Sequence, residues 1–438
     1  MNNPKESVIP SAVSHLSLRK GNSEFLIDKS GVPLSWDLAV SATSQQLSEA
    51  LGARHVAFLL GAGASSLMHD TEQLGIPTMA PLAKEFAETT GVDPKKHFLT
   101  ANERTLLADR YGLSVEEPPY NTNLEKLMEV LFSLQFVLAS SSKAADADGL
   151  TLVRGAIDKV KSYVLDKCTK GAFSSSGGDK SVLQVYKNFY RKLVIRDRSL
   201  PRQWVFTTNY DLFNETALDQ LGMQYCNGFS GTIERRFNPA IYRYALAEQI
   251  DLSQRRWAAV DGFIYLCKLH GSVSWIEDSH GLYPIRELQE PSSSGQVMIY
   301  PTPAKQNSSF GAPYSDLFRE FQGRIAREQS VLVTIGYGFG DEHVNNIIYQ
   351  SLTIPTFRLV IFAPPDANAE LQKLSDLNDP RIWMISGLTP EGKRAHYFET
   401  VVEQLLPALP SDRVDQAIAK VVDLLIRPQD PGDGTNHA

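Results

Sequence analysis

Four short segments of the sequence pair small, flexible residues with polar ones in patterns that could carry chemistry. In HVAFLLGAGASSLM an apolar run meets Gly61, Ala62 and Gly63, then Ser65 and Ser66. Glycines at a strand end let backbone amides approach a phosphate, and a helix starting there would add its positive end. A tight turn that needs glycine would look the same. The segment lacks the Gly-Lys-Ser/Thr ending of a Walker loop. Its GxG is not followed by xxG, and no second strand ends in an acid placed to hold a ribose, so an ordinary dehydrogenase site is not indicated. In QWVFTTNYDLFNE a second apolar run delivers Thr207, Thr208, Asn209, Tyr210 and Asp211. A helix cap would account for Asn209 or Asp211, but not for the whole run. In FIYLCKLHGSVSW a third run ends in His270, Gly271 and Ser272, and an imidazole there suits a general base near neutral pH. In VLVTIGYGFGDEHVNNII a fourth breaks at Gly336, Gly338 and Gly340 before Asp341, His343 and Asn345. Glycines so dense mean close approach of backbone to a ligand or to a crossing loop. Asp341 and His343 have no earlier companion cluster at ligand spacing, so metal ligation is the weaker reading.

The elements that must position these groups are short, continuously apolar strands at 55–60, 204–208, 263–270, 297–300, 331–336, 358–362 and 382–386. Such runs are buried on both faces. Helical periodicity lies between them at 211–221, 314–328 and 342–352, so the chain is α/β with a parallel sheet. Ligands bind such sheets outside the carboxyl ends of the strands, where all four segments fall. Residues 80–200 hold amphipathic stretches, including 123–138 and 183–194, and almost no strand signal. They read as a helical insertion with surface breaks at 140–149 and 174–178. Residues 1–50 read as an N-terminal extension or oligomerisation arm, 51–410 as the main domain, and 411–438 as a C-terminal helix and disordered tail.

Hydrophobic residues are 42% and charged residues 21% of 438, which fits a folded chain, and the net charge of −7 gives no broad field for nucleic acid. Cys168, Cys226 and Cys267 are too few and too scattered for a disulfide framework or a four-thiolate zinc site. With neither a signal peptide nor a membrane span in view, the expected compartment is the cytoplasm.

Taken in order, GAGAS, GIPT at 75–78, TTNYD, LHGS and GYGFGD resemble the sirtuin-like family over roughly residues 54–365, in particular its divergent bacterial defence branch. The resemblance implies a Rossmann-like sheet flanked by helices, with NAD as substrate. Gly61, Ala62, Gly63 and Ser65 look like its pyrophosphate cradle, and Gly336, Tyr337, Gly338 and Asp341 like its adenosine contacts. Thr207, Gly271 and Ser272 fall among the other NAD-binding positions. Asn209 and Asp211 resemble the pair that orients the ribose and the attacking group, and His270 resembles the base. Two departures stand out. Deacylating sirtuins continue GIP with Asp-Phe-Arg, whereas here Thr78 and Met79 follow, and the four-cysteine zinc module is missing. The expectation is therefore an NAD+ hydrolase that releases ADP-ribose and nicotinamide in anti-phage defence, with no zinc. A deacylase, an ADP-ribosyl transferase and a non-catalytic NAD- or ADP-ribose-binding subunit are the alternatives. The family further implies a homo-oligomer and a partner such as a HerA-type ATPase. The insertion could either close over the site or build an interface.

Overall fold

The computed structural model describes residues 15–69, 72–91, 97–169, 180–194, 196–197, 199–251, 256–260, 262–277, 285–291, 296–298 and 313–407. Its centre is a parallel sheet of β3 (His55–Leu60), β6 (Trp204–Thr207), β7 (Tyr225–Cys226), β12 (Ile264–Lys268), β16 (Ser330–Ile335), β17 (Arg358–Phe362) and β18 (Ile382–Leu388). The edge opposite β7 is closed by β1 (His15–Lys20) and β2 (Ser23–Glu24), giving the order β2-β1-β18-β17-β16-β3-β6-β12-β7. This is the α/β, Rossmann-like arrangement expected. All six residues of β16, SVLVTI, are buried, as a central strand with helices on both faces requires. Alternate residues serve opposite cores. Phe58, Leu60 and Val333 face one, Ala57, Leu59 and Leu332 the other.

The first core is covered by α1 (Trp36–Leu51), α6 (Ser181–Leu193) and α7 (Phe213–Gln220). Phe189 of α6 meets Phe58 of β3 edge-on at 5.2 Å. The second core is covered by α8 (Tyr314–Ile325), α9 (Glu342–Ser351) and α10 (Ala369–Asp376). Because the chain leaves β3 for β6 on one side and reaches β16 on the other, the switch point of the topology lies between β3 and β16.

The insertion is helical: α2 (Met79–Glu88), α3 (Ala101–Tyr111), α4 (Leu124–Ala139) and α5 (Ala144–Thr169) precede α6, and the described residues from 79 to 203 contain no strand. The break expected at 140–149 is shorter, since α5 begins at Ala144 and carries Gly149 inside it. The break at 174–178 and the tail at 411–438 lie outside the described residues.

Other expectations need correction. No α-helix begins at the first glycine segment. A 3-10 turn, Ala62–Ser65, runs instead into a hairpin of β4 (Ser66–His69) and β5 (Glu72–Gly75). The strand expected at 297–300 is β15 (Gln296–Met298), which stays out of the parallel sheet and pairs with β13 (Gly271–Glu277). That second, antiparallel sheet also holds β14 (Ile285–Glu287), β9 (Arg235–Phe237) and β8 (Phe229–Ser230), and a separate hairpin joins β10 (Ala247–Asp251) to β11 (Arg256–Ala259). Within residues 1–50, read as an extension or arm, β1 pairs residue for residue with β18 of its own chain, from His15 opposite Leu388 to Lys20 opposite Trp383. Among the described residues no helix is long and apolar enough to cross a membrane.

Candidate functional site

At the switch point the loops after β3 and β16 cross backbone on backbone. The amide of Gly63 donates to the carbonyl of Gly336 at 3.0 Å. A Cβ on Gly61 would sit 2.5 Å from Gly336 O and from Tyr337 Cα, and one on Gly336, whose φ is +64°, would sit 2.4 Å from the amide nitrogen of Ala64. Only glycine fits this crossing. Gly61, Gly63 and Gly336 therefore serve each other before they serve any ligand, whereas Cβ atoms on Gly338 and Gly340 would meet nothing within 4 Å.

Beside the crossing opens a cavity of about 470 Å³, within the range of small-molecule sites. Ala62, Gly63, Ser65, Asn209, Asp211, His270, Gly336, Tyr337, Gly338 and Asp341 all line it. Four other expected contacts do not. Gly61 lies under the loop crossing. Thr207 is wholly buried, its hydroxyl donating to Leu60 O at 2.9 Å and accepting from the Asn209 amide at 3.0 Å, so it ties β6 to β3. Gly271, at φ +88°, lets the chain turn from β12 into β13. Ser272 is wholly buried and bonds to Tyr210 O and Ser274 Oγ.

Asn209 is held by its amide nitrogen, which donates to Gly61 O at 2.9 Å and to Ser65 Oγ at 2.8 Å. Ser65 Oγ donates onward to Asp211 Oδ2 at 2.7 Å. Since that proton is committed, the Tyr186 hydroxyl, 3.0 Å from Ser65 Oγ, is the donor of their contact. Burial, and then the charge of Asp211, push the Tyr186 phenol well above its ordinary range, so it stays protonated. Asp211 Oδ1 accepts from the amide of Phe213, the first residue of α7, at 3.0 Å. Asp211 thus anchors Asn209 through Ser65 and fixes the start of the next helix.

His270 is 6% exposed, and its Nε2 lies 2.8 Å from Asp341 Oδ2. An ionised carboxylate only accepts, so Nε2 carries the proton and Nδ1 is left as the basic nitrogen. The other oxygen of Asp341 accepts from the amides of His343 and Val344 at the start of α9. Asp341 therefore acts as the orienting partner of the histidine, a role that sequence alone did not indicate. Its loop is stapled by Asn345, which donates to Phe339 O and accepts from the Tyr337 hydroxyl, both at 2.8 Å. Phe339 sits at φ +54°, a strained setting for an aromatic residue.

Beneath the Asn209–Asp211 turn lies Lys268, 1% exposed. Its ammonium donates to Tyr210 O at 3.3 Å, to Asp211 O, and to Glu215 Oε1 at 3.0 Å. It joins the strand that carries His270 to the turn that carries Asn209. A lysine inside the apolar run IYLCK was the available signal for it. Burial pushes the Glu215 carboxyl up, while Lys268 works against that.

The far wall comes from the insertion, with Met79 and Leu82 of α2, Leu124 and Glu125 of α4, and Val164 and Cys168 of α5. The β4–β5 hairpin returns the chain beside its start, where the Ile76 amide donates to Ser65 O at 2.8 Å, and so sets Ile76, Pro77 and Thr78 into the same wall. The insertion therefore covers the cavity. Burial pushes the Cys168 thiol far up, which makes it an apolar filler. A larger hollow of about 1070 Å³, lined by Glu215, Asp219 and Glu287 among others, contains neither His270 nor Asn209. Among the described residues no group of three or more His, Cys, Asp or Glu side chains could hold a metal ion.

Residues 203–385 match the model of a family described as the SIR2-like domain. The match takes in Asn209, Asp211, His270 and the Gly336–Asp341 loop, covers less than half of the 438 residues, and leaves the Gly61–Ser65 loop outside it. It supports a sirtuin-like relationship and suggests NAD-related chemistry for this region. No curated protein matches the chain.

Proposed function

We propose that the chain is an NAD+ glycohydrolase, which cleaves the bond between nicotinamide and ribose and hands the ribose to water. The observation that carries this reading is the pairing of His270 with Asp341 on the rim of the cavity where Asn209 is immobilised. Nicotinamide departs as a neutral molecule when the electrons of the glycosidic bond pass to its ring nitrogen, so the leaving group needs no acid. What remains is an oxocarbenium-like ribose, which needs fixed geometry, an oriented nucleophile and a base. Both amide protons of Asn209 are engaged by protein, so its Oδ1 can accept from a ribose hydroxyl or from water. His270 Nδ1 takes the proton of the attacking water as oxygen bonds to the anomeric carbon, and Asp341 stabilises the imidazolium that forms. The glycine crossing places bare backbone where a pyrophosphate would lie, and Asp211 holds Asn209 in place through Ser65.

Water, rather than an acyl-lysine, is the acceptor in this reading. The wall segment Ile76 to Met79 lacks the aromatic and arginine pair of deacylating sirtuins, and insertion helices cover that side. Running the reaction in oxygen-18 water checks this directly. One labelled oxygen should enter each ADP-ribose, and unlabelled product would mean another acceptor. In the cell, NAD depletion as an anti-phage response, a homo-oligomeric assembly and control by a partner such as a HerA-type ATPase belong to the same proposal. Light scattering on the purified chain, alone and mixed with a candidate partner, tests the assembly.

A further inference from the structure

At the opposite edge of the sheet, where the parallel strands begin, lies a recess of about 270 Å³. His55, Val56 and Ala57 of β3, Trp204 of β6 and Tyr265 of β12 form its base, and Arg202, Arg324 and Arg327 surround it. No Asp or Glu is among its described lining residues. Arg324 is pre-set: its guanidinium lies 4.3 Å from the centre of the Trp204 ring, and Glu320 accepts two bonds from it. Trp204 is stacked in turn on Tyr265 at 4.5 Å, the two rings 8° apart.

Further positive charge stands close by. Burial first, then Arg327, Arg54, Arg196 and Arg324 together, hold the His55 imidazole below its ordinary value. Arg196 is drawn down to about 10 by burial and by Arg202, and burial and Arg324 lower Arg327. Arg196 is occupied, since it donates to carbonyls of Leu51, Ala53, Arg54 and Pro201. Among the described residues, Glu320 pairs with Arg324 and Asp197 lies beside Arg196, while Arg324 and Arg327 also donate to the carbonyls of Tyr242 and Gly323. Crowding guanidinium groups together is unfavourable, and here it occurs in a chain whose net charge is −7. A ligand with two or more negative charges would relieve the repulsion, and the planar forks of arginine match phosphate oxygens.

We propose that this recess binds a phosphate-bearing ligand, at a site separate from the cavity at the carboxyl edge. The recess suits a phosphate or diphosphate group rather than a whole dinucleotide. A free nucleotide and the phosphorylated end of a nucleic acid share this chemistry.

Calorimetric titration of the full chain with inorganic pyrophosphate at low ionic strength tests the site. Wild type should bind, His270→Ala should bind equally well, and the pair Arg202→Gln with Arg327→Gln should lose at least tenfold in affinity while keeping the wild-type Tm. Should that pair fail to fold, Arg202→Lys with Arg327→Lys keeps the charge but loses the forks, and its affinity should also fall. No binding by wild type, or equal affinity in the arginine variants, overturns the proposal. The second result would place any pyrophosphate in the other cavity. Titration with ADP, and with an oligonucleotide bearing or lacking a 5′-phosphate, then tells the two sources apart.

Discussion

The carboxylate of Asp341 fixes which nitrogen of His270 carries the proton, and the cleanest substitution at this site follows from that. Asparagine can still cap α9, but its amide can also donate to the ring and so allow the wrong tautomer. Asp341→Asn should lower kcat for nicotinamide release by at least about 100-fold, and by up to about 10,000-fold where the wrong tautomer dominates, with KM little changed. An unchanged kcat would reduce Asp341 to a helix cap. Ser65→Ala tests the other half of the site. It leaves the Asn209 amide, the Asp211 carboxylate and the Tyr186 hydroxyl each one partner short in a buried setting, at a cost of about 1–3 kcal/mol for each stranded group. Thermal denaturation should show a lowered Tm, and an unchanged Tm would mean that water replaces the hydroxyl. Asn209 and His270 were legible in the sequence because each ends an apolar run. The Asp341 pairing was not, because 71 residues separate it from His270 and only the topology joins them. That the Thr207 and Ser272 hydroxyls bond within the protein and do not line the cavity was hidden for a related reason. A hydroxyl at a strand end looks the same in sequence whether it faces a cavity or a neighbouring backbone.

Among the elements, the crossing of the β3 and β16 loops and the Lys268 clamp set the geometry. Gly61→Ala puts a methyl group 2.5 Å from two backbone atoms of the opposite loop, so the loops must part. NAD binding measured by calorimetry should be lost even where circular dichroism shows the sheet intact. Lys268→Met removes the clamp and leaves Glu215 buried without its partner, a change that costs about 3–5 kcal/mol in comparable sites. Adding Glu215→Leu removes the stranded carboxylate and should restore much of that loss in urea denaturation, while nicotinamide release stays low because the Asn209–Asp211 turn is no longer held. If the double variant regained full activity, the clamp would matter for stability alone. Six strands of the parallel sheet were legible because strands buried on both faces are continuously apolar, whereas β7, only two residues long, left no run to read. β1 was not: its sequence, HLSLRK, covers an edge, where polar residues are tolerated and no such run is required.

Across the whole molecule, stability should respond to acid partly through His396. Burial and Arg394 pull this imidazole down to about 4, and its Nδ1 has no hydrogen-bond partner. With the folded value below the ordinary 6.5, the unfolded chain binds more protons between those limits. The contribution of neutral His396 is therefore complete above about pH 6.5 and is lost as pH falls toward 4. In urea titrations wild type should lose more stability than His396→Leu between pH 7 and pH 4.5, and parallel losses would contradict this. The parallel character of the central sheet followed from alternating strand and helix patterns. The second sheet was hidden, because pieces as short as β8 and β9 carry no periodic signal.

The central claim is that this chain hydrolyses NAD+ with His270 and Asn209. It is tested most directly by incubating purified protein with NAD+ in the absence of any acyl peptide and following nicotinamide and ADP-ribose by chromatography. The account predicts equimolar release of both products by wild type and none by His270→Ala or Asn209→Ala. Release by the variants at the wild-type rate, or NAD+ bound by wild type and left intact, would contradict it.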